Sequence, residues 1–357
     1  MSCYDHIIAI DLGTTTTAFA ERRPASKIAV AVSPITNQLN IQQKTPSDIH
    51  FFLNKESDPL TVHNSVLGNV IPAKFNEFPI HHHFAFYKMA LYDKDEHDKF
   101  VNTTNYPNHP AVNSLDGKCT RKLSEVYEVV VQHIRGSIAA YFKQQSLQFE
   151  VEKIAWVITV PAMAQIEQKA FMKRVFIQGM GFFSNRLIDE SRVQIALEPE
   201  AGLMYQIQNK PTVFDRDHVV AIFDFGGGTF DLTVVNAKAG QSPEVIVSDF
   251  GDVMGGSDID KAFLDFLYEL TDFCHAATCD EKQRSILMSN VLARFQELKH
   301  LQFGEHPQET VSIKITEILE HVSLDNVENG LTKYNKNPED PDVILDEGCL
   351  VMTAEFA

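Results

Sequence analysis

The sequence predicts an α/β protein built from two related lobes, and three observations carry that expectation. Short apolar runs ending in Asp, Gly or Pro alternate with longer stretches of helical period. One run, Val219-Val220-Ala221-Ile222-Phe223, leads through Asp224 into Gly226-Gly227-Gly228-Thr229 and, past Asp231, into a second run from Leu232 to Val235. The same pattern stands near the N-terminus, where Ile7-Ile8-Ala9-Ile10-Asp11-Leu12-Gly13-Thr14-Thr15-Thr16 falls in register with Val220 to Thr229. A repeat so widely spaced reads as two related units.

Each copy has its own chemistry. An apolar run with almost no polar alternation reads as a strand buried on both faces. Glycines between two such runs make a tight turn whose backbone can approach a ligand, and successive N–H groups there form a nest for phosphate. Asp11 and Asp224 stand at the two strand mouths. A carboxylate beside phosphate repels it unless a cation lies between, so the pair implies Mg²⁺. The economical expectation is one nucleotide clamped in the cleft between the lobes. Neither copy is a G-x-x-x-x-G-K-[ST] loop or a G-x-G-x-x-G turn.

In chain order, residues 5–45 read as strands, with Ile28 to Val32 and Leu39 to Gln43 continuing a meander. Residues 46–119 read as an inserted, loop-rich subdomain with the charge cluster Asp93 to Lys99 and the polar run 102–110. Its His81-His82-His83 converges poorly as a metal site, because consecutive strand side chains point to opposite faces, and reads as a solvated loop. Lys88 lies in the apolar surround Phe86 to Leu91; it either reaches into the cleft or snorkels at the surface. Leu123, Val126, Tyr127, Val130, Ile134, Ile138, Tyr141 and Phe142 recur at helical spacing, which predicts a core-packed helix over 121–145. A strand over Ile154 to Val160 stops at Pro161. A helix over Gln165 to Gln178 follows, ended by Gly179 and Gly181.

Val193 to Leu197 is the next strand, leading through Glu198-Pro199 to a helix over Glu200 to Gln208. Glu198 either aims into the cleft or acts as an acid at a helix start. Beyond the glycine hairpin come a strand from Val245 to Phe250 and the Gly255-Gly256 turn, whose backbone can again approach phosphate. Ser257 is placed to cap a helix over Asp258 to Phe273. A second helix, about Glu281 to Leu301, carries Lys299. Strands over Val311 to Ile318 and Val343 to Val351 close the chain, with a polar loop at 335–342 between them.

Bulk composition narrows the function classes. The 357 residues are 44% hydrophobic and 22% charged, normal for a globular protein of two domains. A formal charge of −17 argues against nucleic acid and against an anionic membrane surface as principal partners. Five cysteines without a C-x-x-C point to a reducing, cytoplasmic setting, and Cys274-His275 with Cys279 fits no standard zinc spacing. No signal peptide and no bilayer-length apolar stretch is read.

The motifs IIAIDLGTTTT at 7–17, WVITVPA at 156–162, ALEPEAG at 196–202, VAIFDFGGGTFDLTVV at 220–235 and GDVMGGSDID at 251–260 resemble the ATPase domain of the seventy-kilodalton heat-shock chaperones. FYKMAL at 86–91 and the Glu-Pro-Glu-Ala at 198–201 resemble the divergent branch without a peptide-binding domain. The resemblance implies a two-lobed, actin-like (ribonuclease H-like) ATPase fold. Its first lobe would span 1–210, with the insert at 46–119, and its second 211–357. It implies ATP or ADP with Mg²⁺ as cofactors, and client proteins and co-chaperones as partners. Gly13, Thr14, Thr15, Thr16, Gly226, Gly227, Gly228 and Thr229, with Gly255 and Gly256, would hold the nucleotide, and Asp11 and Asp224 the metal. Lys88 would be the catalytic lysine, Glu198 or Asp231 would orient the attacking water, and Pro161 would relay nucleotide state. The family's Glu-x-x-Lys grip on adenosine reads here as Gln296-x-x-Lys299, which lacks the acid.

The resemblance also implies a Gly-Gly-Ser/Thr turn and a closing helix after Val351. Neither is read, so the second lobe is expected to be incomplete, with apolar faces left open. Three activities follow from the sequence: slow ATP hydrolysis, nucleotide binding by an interaction protein with little turnover, and small-molecule phosphorylation by a kinase of the same superfamily. No acceptor motif for the last is found.

Overall fold

The computed structural model describes residues 4–23, 30–32, 44–68, 71–92, 111–181, 188–209, 218–237, 244–302, 310–335 and 341–353. The strands in chain order are β1 (His6–Leu12), β2 (Thr16–Arg22), β3 (Val30–Val32), β4 (Thr45–Pro46), β5 (Ile49–Leu53), β6 (Ser65–Leu67), β7 (Ile80–Phe84), β8 (Ala111–Asn113), β9 (Thr120–Lys122), β10 (Ile154–Val160), β11 (Val193–Leu197), β12 (His218–Phe225), β13 (Phe230–Ala237), β14 (Glu244–Asp252), β15 (Thr310–Lys314), β16 (Val343–Asp346) and β17 (Cys349–Thr353). The α-helices are α1 (Leu123–Gln144), α2 (Ile166–Gly181), α3 (Glu198–Asn209), α4 (Gly256–Thr271), α5 (Phe273–Ala276), α6 (Glu281–Gln302), α7 (Thr316–Leu319) and α8 (Leu324–Tyr334). The chain is therefore mixed α/β with several sheets. It divides into two units: Met1–Phe51, Ser57–Val70 and Phe84–Ser257 form the first; Phe52–Glu56, Ile71–His83 and Asp258–Ala357 form the second.

The first unit is built on a sheet in the order β11-β10-β1-β2-β3, with β4 also paired to β2. β1 and β11 both run parallel to β10, and β2 returns antiparallel from the first Gly-Thr turn. Ile8, Ile10, Trp156, Ile158 and Val160 are fully buried, as expected for central strands flanked on both sides. Helices α1 and α2 pack on one another. Gly179 lies inside α2 rather than ending it. A Cβ there would stand 2.6 Å from Val131 Cβ and 2.8 Å from the Glu128 carbonyl, so the glycine permits close helix contact. Helix α3 touches β10, β11, β12 and β13.

The second sheet of this unit is β12-β13-β14, antiparallel throughout. Here the structure corrects the expectation of a strand buried on both faces. β12 is an edge strand, and Val219, Phe223 and Phe225 are exposed, Phe225 at 75%. Phe225 and Phe230 stack with centroids 4.7 Å apart on this open face. On β13 the alternation is regular: Asp231, Thr233 and Val235 are buried and the residues between them are half-buried.

In the second unit, α4 and α6 meet through Phe263 and Phe295, stacked at 4.0 Å. β15, β17 and β16 form an antiparallel sheet in that order. Three expectations change here. The run 311–318 is a short strand followed by α7, and 343–351 is a hairpin turning at Glu347-Gly348, where both residues have positive φ. Helix α8 was not foreseen. Ser257 does not cap α4 from outside; it sits within the first turn, and its N–H donates to the Gly227 carbonyl at 2.5 Å.

The three histidines are not a solvated loop. They lie on β7 and are all buried. His81 packs on Phe52 at 4.9 Å between centroids, His82 Nε2 is 2.9 Å from Glu56 Oε2, and His83 Nδ1 is 2.7 Å from the Ser289 hydroxyl. Lys282 donates to the carbonyls of Asn76 at 2.7 Å and Phe78 at 2.5 Å, closing the turn before β7. The strand expected at 39–43, the runs 93–99 and 102–110, and the Cys274 side chain lie outside the described residues.

Candidate functional site

Both Gly-rich hairpins belong to the first unit, and they meet. Gly226 N–H donates to the Thr229 carbonyl at 2.9 Å, closing the β12–β13 turn. A Cβ on Gly228 would lie 2.6 Å from Thr14 Oγ1, and one on Gly227 would collide with the Thr15 side chain. Only glycine lets the second turn approach the first this closely. The two turns line one cavity of about 350 Å³. Its wall carries Asp11, Gly13, Thr14, Thr15, Thr16, Lys88, Glu198, Asp224, Gly226, Gly227, Gly228 and Thr229, together with Lys44, Thr159, Ala201 and Gly202.

Lys88 comes from a short 3-10 helix, Tyr87–Leu91, entered through Phe86 at φ 54°. A left-handed conformation at a bulky residue persists only where its surroundings hold it. Here Gln168 Nε2 donates to the Leu91 carbonyl at 2.5 Å, and the Tyr87 hydroxyl donates to the Ser47 carbonyl at 2.9 Å. Thus held, Lys88 is buried and its Nζ lies 2.9 Å from Glu198 Oε1. Glu198 opens α3, so a strand end and a helix start together fix its position. Burial raises the Glu198 carboxyl pKa, opposed by Lys88 and reinforced by Asp11 and Asp224. Burial also raises that of Asp224, with Asp231 and Asp11 adding to the shift.

Four residues singled out in the sequence do not line the cavity. Asp231 is buried beside it, its Oδ1 accepting the Met163 N–H at 3.0 Å; burial raises its pKa against that donor. Gly255 and Gly256 pack beneath the glycine hairpin, where Gly256 N–H donates to the Gly226 carbonyl at 3.2 Å. A Cβ on Gly255 would lie 2.7 Å from three backbone atoms of residues 226–228. Lys299, in the second unit, pairs with the buried Asp260 at 2.5 Å, and Gln296 Nε2 donates to the same carboxylate at 3.2 Å.

Four cavity residues were not among the expected site residues: Ala201 and Gly202, which lie in the ALEPEAG motif, and the polar Lys44 and Thr159. Thr159, at the end of β10, has its hydroxyl 3.4 Å from Asp11 Oδ1. Lys44 Nζ donates to Asp11 Oδ2 at 2.6 Å. A lysine followed by Thr-Pro-Ser was the available signal for Lys44; nothing in the local sequence marks Thr159.

The donor set fits a hard cation and an anion together. Asp11, Asp224 and Glu198 supply oxygen ligands, which suit Mg²⁺. The space left by the missing side chains of Gly227 and Gly228 is filled by Thr15, Thr14 and Met89, which draws the backbones of the two turns together at the cavity wall. Carboxylates, lysines and two Gly-Thr turns around one hollow define a site suited to a metal-bound polyphosphate.

Comparison with known proteins agrees in kind. The family described as "Hsp70 protein" matches residues 7–332, so the chain belongs to the Hsp70 family. It is similar to the chaperone protein HscA of Buchnera aphidicola subsp. Acyrthosiphon pisum (strain Tuc7), at 27% identity over 278 residues, covering 74% of this chain and 38% of that protein. It is also similar to the movement protein Hsp70h of Grapevine leafroll-associated virus 3 (isolate United States/NY1), at 32% identity over 113 residues, 32% of this chain and 18% of that one. The match therefore spans well under half the length of either relative. No helix among the described residues is long and apolar enough to cross a membrane.

Proposed function

We propose that this chain binds Mg²⁺-ATP and Mg²⁺-ADP in the cavity of the first unit and hydrolyses ATP slowly. The observation that carries the reading is the convergence of Asp11, Asp224, Lys88 and both Gly-Thr turns on one hollow. In this reading the backbone of Gly13 to Thr15 and of Gly226 to Thr229 holds the phosphates, and Asp11 and Asp224 hold the metal directly or through its waters. The bound metal supplies neutralisation of phosphate charge. Lys88 stabilises charge on the terminal phosphoryl group, and Glu198, its partner, orients the attacking water. Asp231, set behind the wall, acts on Asp224 by its charge and does not touch the reacting atoms. Little covalent chemistry is asked of the protein, because phosphoryl transfer rests on positioning and electrostatics.

On the family resemblance, nucleotide state biases an actin-like arrangement of lobes at 1–210 and 211–357, in a cytoplasmic chaperone that works with clients and co-chaperones. One observation favours a second reading, nucleotide binding with little turnover: Lys299 is committed to Asp260 in the second unit, and position 296 is Gln. Calorimetry with Mg²⁺-ATP, paired with a phosphate-release assay, separates the two. Binding with release supports the hydrolase, and binding without release supports the scaffold. No binding contradicts both.

A further inference from the structure

The cavity holds a cation that the proposed mechanism leaves unused. Of its two lysines, Lys88 is 2% exposed and committed to Glu198. Lys44 is 54% exposed, and its ammonium sits on Asp11, the carboxylate assigned to the metal. The chain that follows it is nonetheless anchored. β4 pairs Thr45 with Thr17 and Pro46 with Thr16, so Lys44 directly precedes a strand hydrogen-bonded to the first phosphate turn. Ser47 completes the clamp: its N–H donates to the Thr15 carbonyl at 2.9 Å and its hydroxyl to the Gly13 carbonyl at 2.7 Å. A fixed root with a flexible four-carbon stem lets an ammonium move between nearby partners without moving backbone.

The charge balance gives it something to do. Among the described cavity residues, Asp11, Glu198 and Asp224 face Lys44 and Lys88. With Lys88 paired to Glu198, Lys44 is the cavity lysine in direct contact with Asp11, and both lysines act on Asp224 by charge. We infer that Lys44 is a built-in counter-ion of the phosphate site, a positioning and binding residue resting on the nucleotide reading above. It holds Asp11 while no metal does, and it turns to the phosphate oxygens when Mg²⁺ takes that carboxylate. The same ammonium would let the site accept a nucleotide before its metal.

The test titrates a ribose-labelled fluorescent ATP into the full chain, with saturating Mg²⁺ and with a chelator, for wild type, Lys44→Met, Lys44→Gln and Lys44→Arg. Loss of one charge-assisted contact predicts a roughly tenfold weaker metal-free affinity for the Met and Gln variants. Their gap between metal-free and metal-saturated affinity should widen, while the Arg variant stays within about threefold of wild type. Half-exposed Lys44 contributes little to the core, so melting temperatures should match. Metal-free affinities of the Met and Gln variants within about twofold of wild type would overturn the assignment and leave an ordinary surface ion pair. A wild-type chain that binds no nucleotide in either condition contradicts the underlying site, and the Lys44 role with it.

Discussion

Lys88 and Glu198 are a buried charge pair whose members depend on each other. Lys88, with 2% of its side chain exposed, has its Nζ 2.9 Å from Glu198, and that contact opposes the rise that burial imposes on the Glu198 carboxyl pKa. Such a pair is weak evidence for net stability, but removing one partner strands the other. Lys88→Met should therefore cost about 3 kcal/mol in chemical denaturation, while Lys88→Met with Glu198→Gln recovers most of that loss. A single variant as stable as the double would show that the pair is loosely hydrated. Residue-scale reading left Lys88 either in the cleft or snorkelling and Glu198 either in the cleft or at a helix start, and the family resemblance pointed both to the cleft. It could not reach Lys44 or Thr159, which meet Asp11 across 33 and 148 residues of chain respectively. The place of Asp231 beside the glycines gave no sign that its side chain accepts a hydrogen bond from the Met163 backbone.

Among the elements, those buried with a clean period were legible. The strands 154–160 and 193–197 were read with their observed limits, and the helix over 121–145 with nearly its own. Glycine misled at one helix. Gly179 sits where α2 touches α1, and Gly330 sits in α8, where a Cβ would lie 2.7 Å from the Leu270 carbonyl. Gly179 reads as a breaker, yet both glycines stand at close packing contacts. Gly179→Ala should cost about 1–3 kcal/mol by overpacking against Val131 and the Glu128 carbonyl, measured by thermal or urea unfolding. Unchanged stability would mean that the helices part easily.

β7 is the other lesson at this scale. Three consecutive histidines look polar, but each finds an aromatic, carboxylate or hydroxyl neighbour in the second unit. Burial above all, then His83, His82 and Lys282, holds the His81 imidazole well below its ordinary pKa. The folded chain thus binds fewer protons there than the unfolded one. Stability should fall as pH drops below about 6.5, with the loss continuing toward the depressed folded value. His81→Phe should flatten this part of the slope in urea titrations between about pH 7.5 and 5. A wild-type slope that the substitution leaves unaltered would contradict the assignment.

For the whole molecule, the repeated Asp and Gly-Thr turn was the strongest signal, because it recurs in register across two hundred residues of chain. It was read as a pair of turns facing one another, and both line one cavity of the first unit. The family motifs agree with the Hsp70 match over residues 7–332. The buried-strand expectation for β12 failed at this scale, since burial of an edge strand depends on what packs against its sheet, and Phe223 and Phe225 stand exposed. The account depends on Asp11 and Asp224 acting together on one metal-bound nucleotide. Asp224 is half-buried, with its pKa raised by burial and by neighbouring acids, so it gains from a cation. The most direct measurement is Mg²⁺-ATP affinity and single-turnover hydrolysis of Asp224→Asn against wild type, with unfolding followed in parallel. Equal stability, with Mg²⁺-dependent affinity weakened at least about tenfold and turnover abolished, is the predicted result. Unchanged metal-dependent binding in a folded Asp224→Asn chain would contradict it.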